Sequence, residues 1–545
     1  MKYLLFSLLS AVMLSLSWPT YGIPFFLFFA LVPLLTMEHE ISKFSSIKRK
    51  GWSIFGLAFL CFFIWNAVTT GWLYGSRNPD GSHSIAAVAI PVLANALFYS
   101  LVFLLYHKYK NIQGTYWGLA FLVALWMSFE KLHLDWELSW PWLNLGNAFS
   151  DYPKLIQWYD TLGATGGSFW ILLVNIFAFY TLRIWETTRK RKPLIKNLSI
   201  LLAGILLPMG ISLLKYYNFN EKSTGEVSVL LLQPELDPYL EKYDKDSLTI
   251  ASELLSLAKE YSTAKVDYFI GPETSLPGPG SFSEMGLQDS PILNTFKDFL
   301  STQKGAVLTT GISSHRYFWD PSQAPKNAYM TKQGFYVEGY NTAIQLDPFS
   351  PIQIYHKAKL VPGVEIFPYI GILKPLLGDA MLNFGGTVAS LGRDPERKVF
   401  TNTYNKGVLA PIICYESIYG EFTSGYVKNG ANFLAIMTND SWWGVSEGHR
   451  QLLSYARLRA IENRREIARS ANSGISAHID ARGEIIADTF YQDRTALYAK
   501  IQLYENQTFY TRAGDLLSRF SIFALGFLVF YTLIKKIQNR RNQKN

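Results

Sequence analysis

Val408-Leu409-Ala410-Pro411-Ile412-Ile413-Cys414-Tyr415-Glu416 is an apolar run that ends on a thiol and a carboxylate. A short continuous apolar run of this kind fits a strand buried on both faces, and it predicts a strand over 408–414. The same pattern recurs upstream as Val227-Ser228-Val229-Leu230-Leu231-Leu232-Gln233, followed by a helical stretch over 247–261 with an aspartate near its start. Further strands are expected at 268–271, 306–311, 342–346 and 433–437. A long helix over 449–465 then precedes a strand pair at 474–480 and 484–489, turned at Ala481-Arg482-Gly483. Strands alternating with helices predict an α/β domain.

Outside this domain the composition changes. Eight apolar runs, at 4–18, 23–36, 52–73, 85–105, 116–129, 166–182, 198–214 and 520–534, are candidate membrane spans. No small-x-small cleavage site precedes Pro19, so the first is read as a span rather than a cleaved signal peptide. The organisation expected is transmembrane helices over 1–215, a water-exposed domain over 216–516, and a last helix with a basic tail over 517–545. Residues 216–516 hold 28 Lys and Arg against 33 Asp and Glu, so the chain's net charge of +9 comes from the membrane-flanking remainder. Nucleic-acid binding is disfavoured, because it needs a basic face on the folded domain.

Alternate loops are basic: Lys43, Lys48, Arg49 and Lys50; Lys108 and Lys110; Arg183 through Lys196; and Lys535 through Lys544. With the N-terminus inside, all of them fall on the cytoplasmic side, and the 216–516 domain lies outside. The centres of the apolar runs carry no Asp, Glu or Lys, which argues against an ion-coupled carrier. Trp136, Trp140 and Trp142 are expected at the membrane–water boundary.

Three strand ends carry candidate chemistry, since catalytic groups gather where buried strands enter loops. Phe269-Ile270-Gly271-Pro272-Glu273 runs into a carboxylate. Tyr355-His356-Lys357 brings a lysine, with Glu365 eight residues on. Ile413-Cys414-Tyr415-Glu416 brings the thiol. Each alone is ordinary, since a lone Cys in an apolar strand is usually a small buried hydrophobe. Their order within one α/β domain is more specific. The two cysteines, Cys61 and Cys414, fall in different regions and form no disulfide framework.

The order Glu273, Lys357, Cys414 resembles the nitrilase, or carbon–nitrogen hydrolase, superfamily, whose members share an αββα sandwich. Lys357 to Glu365 (KAKLVPGVE) and Asn439-Asp440-Ser441-Trp442-Trp443-Gly444 are similar to blocks of its membrane acyltransferase branch, the apolipoprotein N-acyltransferases. The likeness spans the chain: seven helices, a nitrilase-like domain, one more helix. Many of that branch read Val-Pro-Phe-Gly-Glu where this chain has Val361-Pro362-Gly363-Val364-Glu365. The branch's tryptophan after the first strand has Tyr243 as its nearest aromatic here.

The resemblance implies a thioester mechanism. Cys414 is the nucleophile, Glu273 accepts its proton, and Lys357 with the Tyr415 N–H stabilises the oxyanion. Glu365 and Glu416 orient Lys357 or assist proton transfer, and Trp442 and Trp443 wall the site. The acyl donor implied is a phospholipid, phosphatidylethanolamine, and the acceptor is the α-amino group of a diacylated apolipoprotein, in a bacterial inner membrane with the domain in the periplasm. No metal or cofactor is expected, because the histidines lack ligand spacing. The apolar stretch 366–377 is a candidate arm for acyl chains. The rival is a membrane-tethered amidase that lets water reach the thioester. Cys414→Ala is expected to abolish any acyl-enzyme adduct, and Cys61→Ala to leave activity nearly intact, as read by mass spectrometry and turnover.

Overall fold

The computed structural model describes residues 1–44, 46–78, 81–237, 245–262, 264–276, 281–369 and 390–542. The chain divides into two compact units. One comprises Met1–Gly71, Val88–Tyr217 and Ala513–Asn545; the other comprises Trp72–Ala87 and Asn218–Arg512.

In the first unit each expected span coincides with helix. Six helical stretches are long and apolar enough to cross a membrane: Pro24–Lys43, Lys50–Gly75, Ile85–Gln113, Tyr159–Thr188, Arg191–Tyr217 and Leu516–Asn539. Of the other two, Lys2–Leu16 has 15 residues, and Thr115–Asp135 carries Glu130, Lys131 and Asp135 toward its end. The helices run past the apolar runs, and buried charges ride on these extensions. Glu38, fully buried on Val32–Phe44, pairs with Lys110 and lies 2.7 Å from His107 Nδ1, both on Ile85–Gln113. Glu130, also fully buried, accepts the Leu145 N–H at 2.9 Å. Pairing is what makes such groups tolerable away from water. Trp142 is buried and stacks on Trp140 with ring centroids 5.4 Å apart.

The second unit contains two sheets. Strands β1 (Gly225–Gln233), β2 (Tyr268–Ile270), β3 (Phe282–Ser283), β4 (Val307–Phe318), β5 (Tyr329–Met330), β6 (Tyr336–Asp347) and β7 (Ser350–His356) belong to the first. Strands β8 (Phe400–Thr401), β9 (Val408–Ile413), β10 (Phe433–Thr438), β11 (Ile467–Ala471), β12 (Ala477–Ile479) and β13 (Ile485–Asp488) form the second, and β14 (Thr495–Leu503) returns to the first. The first sheet runs β14-β1-β2-β4-β6-β5, with β3 on β4 and β7 on β6; the second runs β13-β12-β11-β10-β9-β8. The centres of both are parallel: β1 with β2 and β2 with β4, then β9 with β10 and β10 with β11. Parallel strands need helical covers, which is why they read as unbroken apolar runs.

Helices Ser247–Tyr261 and Pro291–Ser301 supply Ile250, Leu254, Leu293 and Phe296 to a core shared with Leu230, Phe269 and Leu308 of the first sheet. Asp246 caps the former helix, accepting from the Leu248 and Thr249 N–H groups. Helices Gly420–Lys428 and Glu447–Asn463 belong to the second sheet. The sheets face each other, with Tyr268 meeting Phe433 at 5.2 Å and donating to the Gly407 carbonyl at 3.0 Å. This is an αββα sandwich with a helical membrane part, the architecture expected.

The strand pair expected at 474–480 and 484–489 is in place as β12 and β13, and ahead of it stands β11, a strand that the apolar pattern does not predict. Its centre is Arg469-Ser470, polar residues that are nonetheless fully buried. At the carboxyl end of β2 the backbone passes so close to β4 that only glycine fits at Gly311. A Cβ there would come within 2.4 Å of the Thr274 nitrogen and 2.8 Å of the Glu273 Cα. Gly311→Ala is expected to destabilise the unit by about 1–3 kcal/mol through overpacking, lowering its thermal midpoint and displacing Glu273. Gly286→Ala, where a Cβ meets open space, should leave both stability and activity unchanged.

Candidate active site

The parallel strands of the two sheets deliver their carboxyl ends to one place. β2 leads into Glu273, β9 into Cys414, β10 into Asn439, and β7 of the first sheet ends one residue before Lys357. Two backbone features aim these groups. Cys414 has φ +48° and Thr274, directly after Glu273, has φ +44°. A side-chain-bearing residue enters this left-handed region at a cost, and such turns cluster at functional sites. Past Cys414 the chain turns into a short 3-10 helix, Cys414–Ile418, and the Ser417 hydroxyl donates to the Cys414 carbonyl at 2.7 Å.

Lys357 is buried between two carboxylates. Its ammonium donates to Glu273 Oε1 and to Glu365 Oε1, each at 2.9 Å. The amide nitrogen of Asn341 on β6 spans the same two oxygens, at 2.8 Å and 2.9 Å. Glu273 Oε2 accepts the Asn439 N–H at 3.2 Å, and Glu365 Oε2 accepts the Val361 N–H at 2.8 Å. Burial alone would lower the Lys357 pKa, but the two carboxylates outweigh it and hold the ammonium well above the ordinary lysine range. Burial pushes the Cys414 thiol up and Glu273 adds to it, while Lys357 pulls it down. The resting site therefore pairs a protonated thiol with a carboxylate and an ammonium, and the thiol must lose its proton as a substrate is attacked.

Glu365 and Glu416 have different surroundings. Glu365 touches the ammonium directly. Glu416 is fully buried and holds backbone: Oε1 accepts from the Ala358 N–H at 2.7 Å, the Lys359 N–H at 3.3 Å and the Tyr355 hydroxyl at 2.5 Å. Its Oε2 accepts from the Ile413 N–H at 2.9 Å and the Tyr426 hydroxyl at 3.4 Å. One carboxylate thus ties the strand before Cys414 to the loop after Lys357. Burial raises its pKa to about 7, against the pull of these donors. His356, next to Lys357, is held neutral, its pKa lowered to about 4 by burial.

Of the residues singled out from sequence, Glu273, Lys357, Glu365, Cys414, Tyr415 and Glu416 come together. Trp442 and Trp443 lie half-buried in the 3-10 turn Asp440–Trp443, where the Trp443 ring meets Trp72 edge-on at 4.8 Å. Tyr243 lies outside the described residues, as does the stretch 366–377 from residue 370 onward. Asn341 was missed. Its strand also carries Glu338, Thr342, Gln345 and Asp347, so one more amide gave no distinct signal in the sequence, although once buried it needs partners. Among the described residues, His, Cys, Asp and Glu form no cluster able to hold a metal ion.

Comparison with known proteins gives two family matches. Residues 10–177 match the apolipoprotein N-acyltransferase N-terminal domain, and residues 236–509 match the carbon–nitrogen hydrolase domain. The chain is 29% identical to an apolipoprotein N-acyltransferase of Chlorobaculum tepidum, over 97% of this chain and 96% of that one. It is 26% identical to proteins of the same name from Geobacter metallireducens, covering 94% and 91%, and Haemophilus influenzae, covering 90% and 87%.

Because Glu416 accepts from five donors, Glu416→Gln places an amide N–H₂ against at least one of them. The Lys357 loop should shift, and kcat should fall by about 10²-fold, the usual effect of misplacing a reacting group by 1 Å. A single-turnover assay with the folded variant checks this.

Proposed function

The chain belongs to the carbon–nitrogen hydrolase family, in its apolipoprotein N-acyltransferase branch, and on that footing we propose how this acyltransferase works and on what. The donor is a membrane phospholipid, with phosphatidylethanolamine as the headgroup class. The acceptor is the α-amino group of the diacylglyceryl-cysteine that begins an apolipoprotein. The observation that carries the reading is the coexistence, on one chain, of the N-terminal domain match at 10–177 with a buried Glu273–Lys357 pair at 2.9 Å beside Cys414.

The reaction proceeds in two halves. Cys414 Sγ attacks the ester carbonyl while its proton passes to Glu273, and the developing oxyanion meets Lys357 and the Tyr415 N–H. The tetrahedral adduct collapses to a thioester, and the lysophospholipid leaves with the proton from Glu273. The acceptor amine then attacks the thioester, Glu273 takes up the amine proton, and the thiolate is reprotonated as the amide forms. Glu365 keeps Lys357 charged and in place, and Glu416 fixes the loop that carries it. Trp442 and Trp443 border the acyl path, and Tyr243 is the aromatic residue assigned to the approach from the first strand.

The working organisation is helices over 1–215, the catalytic domain over 216–516, and a last helix and tail over 517–545. The protein sits in the bacterial inner membrane with its catalytic domain in the periplasm, a topology supported by the basic loops. Both substrates are lipids, so a membrane enzyme avoids extracting either into water.

The test is intact-protein and peptide mass spectrometry after exposure of the detergent-purified protein to acyl-labelled phosphatidylethanolamine, with and without a diacylated lipopeptide. An acyl mass on the Cys414 peptide that moves to the lipopeptide amine is expected. Ammonia release from small amides, with no acyl mass from phospholipid, would instead establish the amidase reading.

A further inference from the structure

Behind Cys414 lies a second buried polar system that the mechanism above does not use. The register pairing Met437 with Ile413 sets Thr438, the last residue of β10, beside Cys414 at the end of β9. The Thr438 hydroxyl lies near enough to the thiol to draw its pKa down, and it donates to Asp440 Oδ1 at 2.8 Å. Asp440 is fully buried, and its Oδ2 accepts from Arg469 Nη2 at 2.8 Å, itself fully buried on β11. Room for that carboxylate exists because residue 474 is glycine: a Cβ there would lie 2.0 Å from Asp440 Oδ2. An ion pair so completely removed from water is costly unless its geometry is well satisfied.

We propose that Thr438 is a positioning residue whose single hydroxyl proton switches partner as Cys414 ionises. With the thiol protonated, the proton of Thr438 goes to Asp440, and its oxygen is left as the acceptor for S–H. When the thiol proton moves to Glu273, the hydroxyl rotates and donates to the thiolate. Asp440 can release it because Arg469 still holds the other carboxylate oxygen. A hydroxyl has one donor and two lone pairs, so it can serve both states, which an amide or a methyl group cannot. The groups facing Cys414 are Glu273, Lys357 and Asp440; those facing Asp440 are Arg469, His449 and Tyr491. Burial lowers His449 to about 4, so it is neutral where the enzyme works and the switch answers to the Cys414 proton alone.

This inference rests on Cys414 being the nucleophile. The experiment measures the alkylation rate of Cys414 by iodoacetamide against pH, in full-length protein carrying Cys61→Ala so that one thiol reports. Thr438→Val, which keeps the shape and removes the hydroxyl, is expected to move the midpoint up by about one unit and slow alkylation near neutrality about tenfold. Thr438→Ser should restore the parent profile. A Thr438→Val profile that overlays the parent would overturn the switch, whatever its activity. If that variant does not accumulate, Thr438→Ala gives the same two outcomes. Failure to find any acyl mass on Cys414 of the parent would sink the acyl-transfer reading instead, and would leave the alkylation result standing.

Discussion

One buried ammonium held between two carboxylates organises this site. Lys357 is buried, so its charge survives only because Glu273 and Glu365 stand on either side. The two acids in turn would repel each other without the lysine and the Asn341 amide between them. Removing any member leaves an uncompensated charge inside the protein, so the cluster exists complete or not at all. It also sets the chemistry: each acid holds the ammonium and one backbone N–H, and Glu273 has the thiol as its neighbour as well.

The sandwich is what makes that cluster affordable. Four strand ends from two sheets meet where backbone N–H groups have finished pairing within the ladder and are free to turn toward side chains. Asn439 offers its N–H to Glu273, Val361 to Glu365, and Ala358, Lys359 and Ile413 to Glu416. Acidic groups at the carboxyl ends of strands are thus met by main-chain donors as much as by cations.

How much of this was legible beforehand varies with how locally it is encoded. The strand over 408–414 and the helix over 247–261 were readable because apolar residues repeat at the right spacing. The membrane runs were readable from length, and their ends were not: Glu38, Lys110 and Glu130 extend helices beyond the apolar stretches because partners from elsewhere in the chain pair with them. Glu273 and Cys414 could be named because each follows an apolar strand, and Lys357 because the order of the three resembles that of the nitrilase superfamily. Asn341 and the Thr438–Asp440–Arg469 group could not, since nothing near them in sequence says that three strands meet. Strand β11 was hidden for the same reason: a buried arginine in a strand is intelligible only once Asp440 is seen beside it.

The stretch Trp72–Ala87 folds with Asn218–Arg512 although it is sandwiched, in sequence, between two membrane helices. Trp72 gives its indole N–H to Gln451 at 3.1 Å, and its ring lies where a Cβ on Gly448 would come within 2.5 Å. The catalytic body is therefore not a contiguous cassette. A fragment begun after the helix Arg191–Tyr217 would have a tryptophan-sized vacancy beside the Trp443 turn, and the evolution of the catalytic body is constrained by a plug encoded far upstream of it.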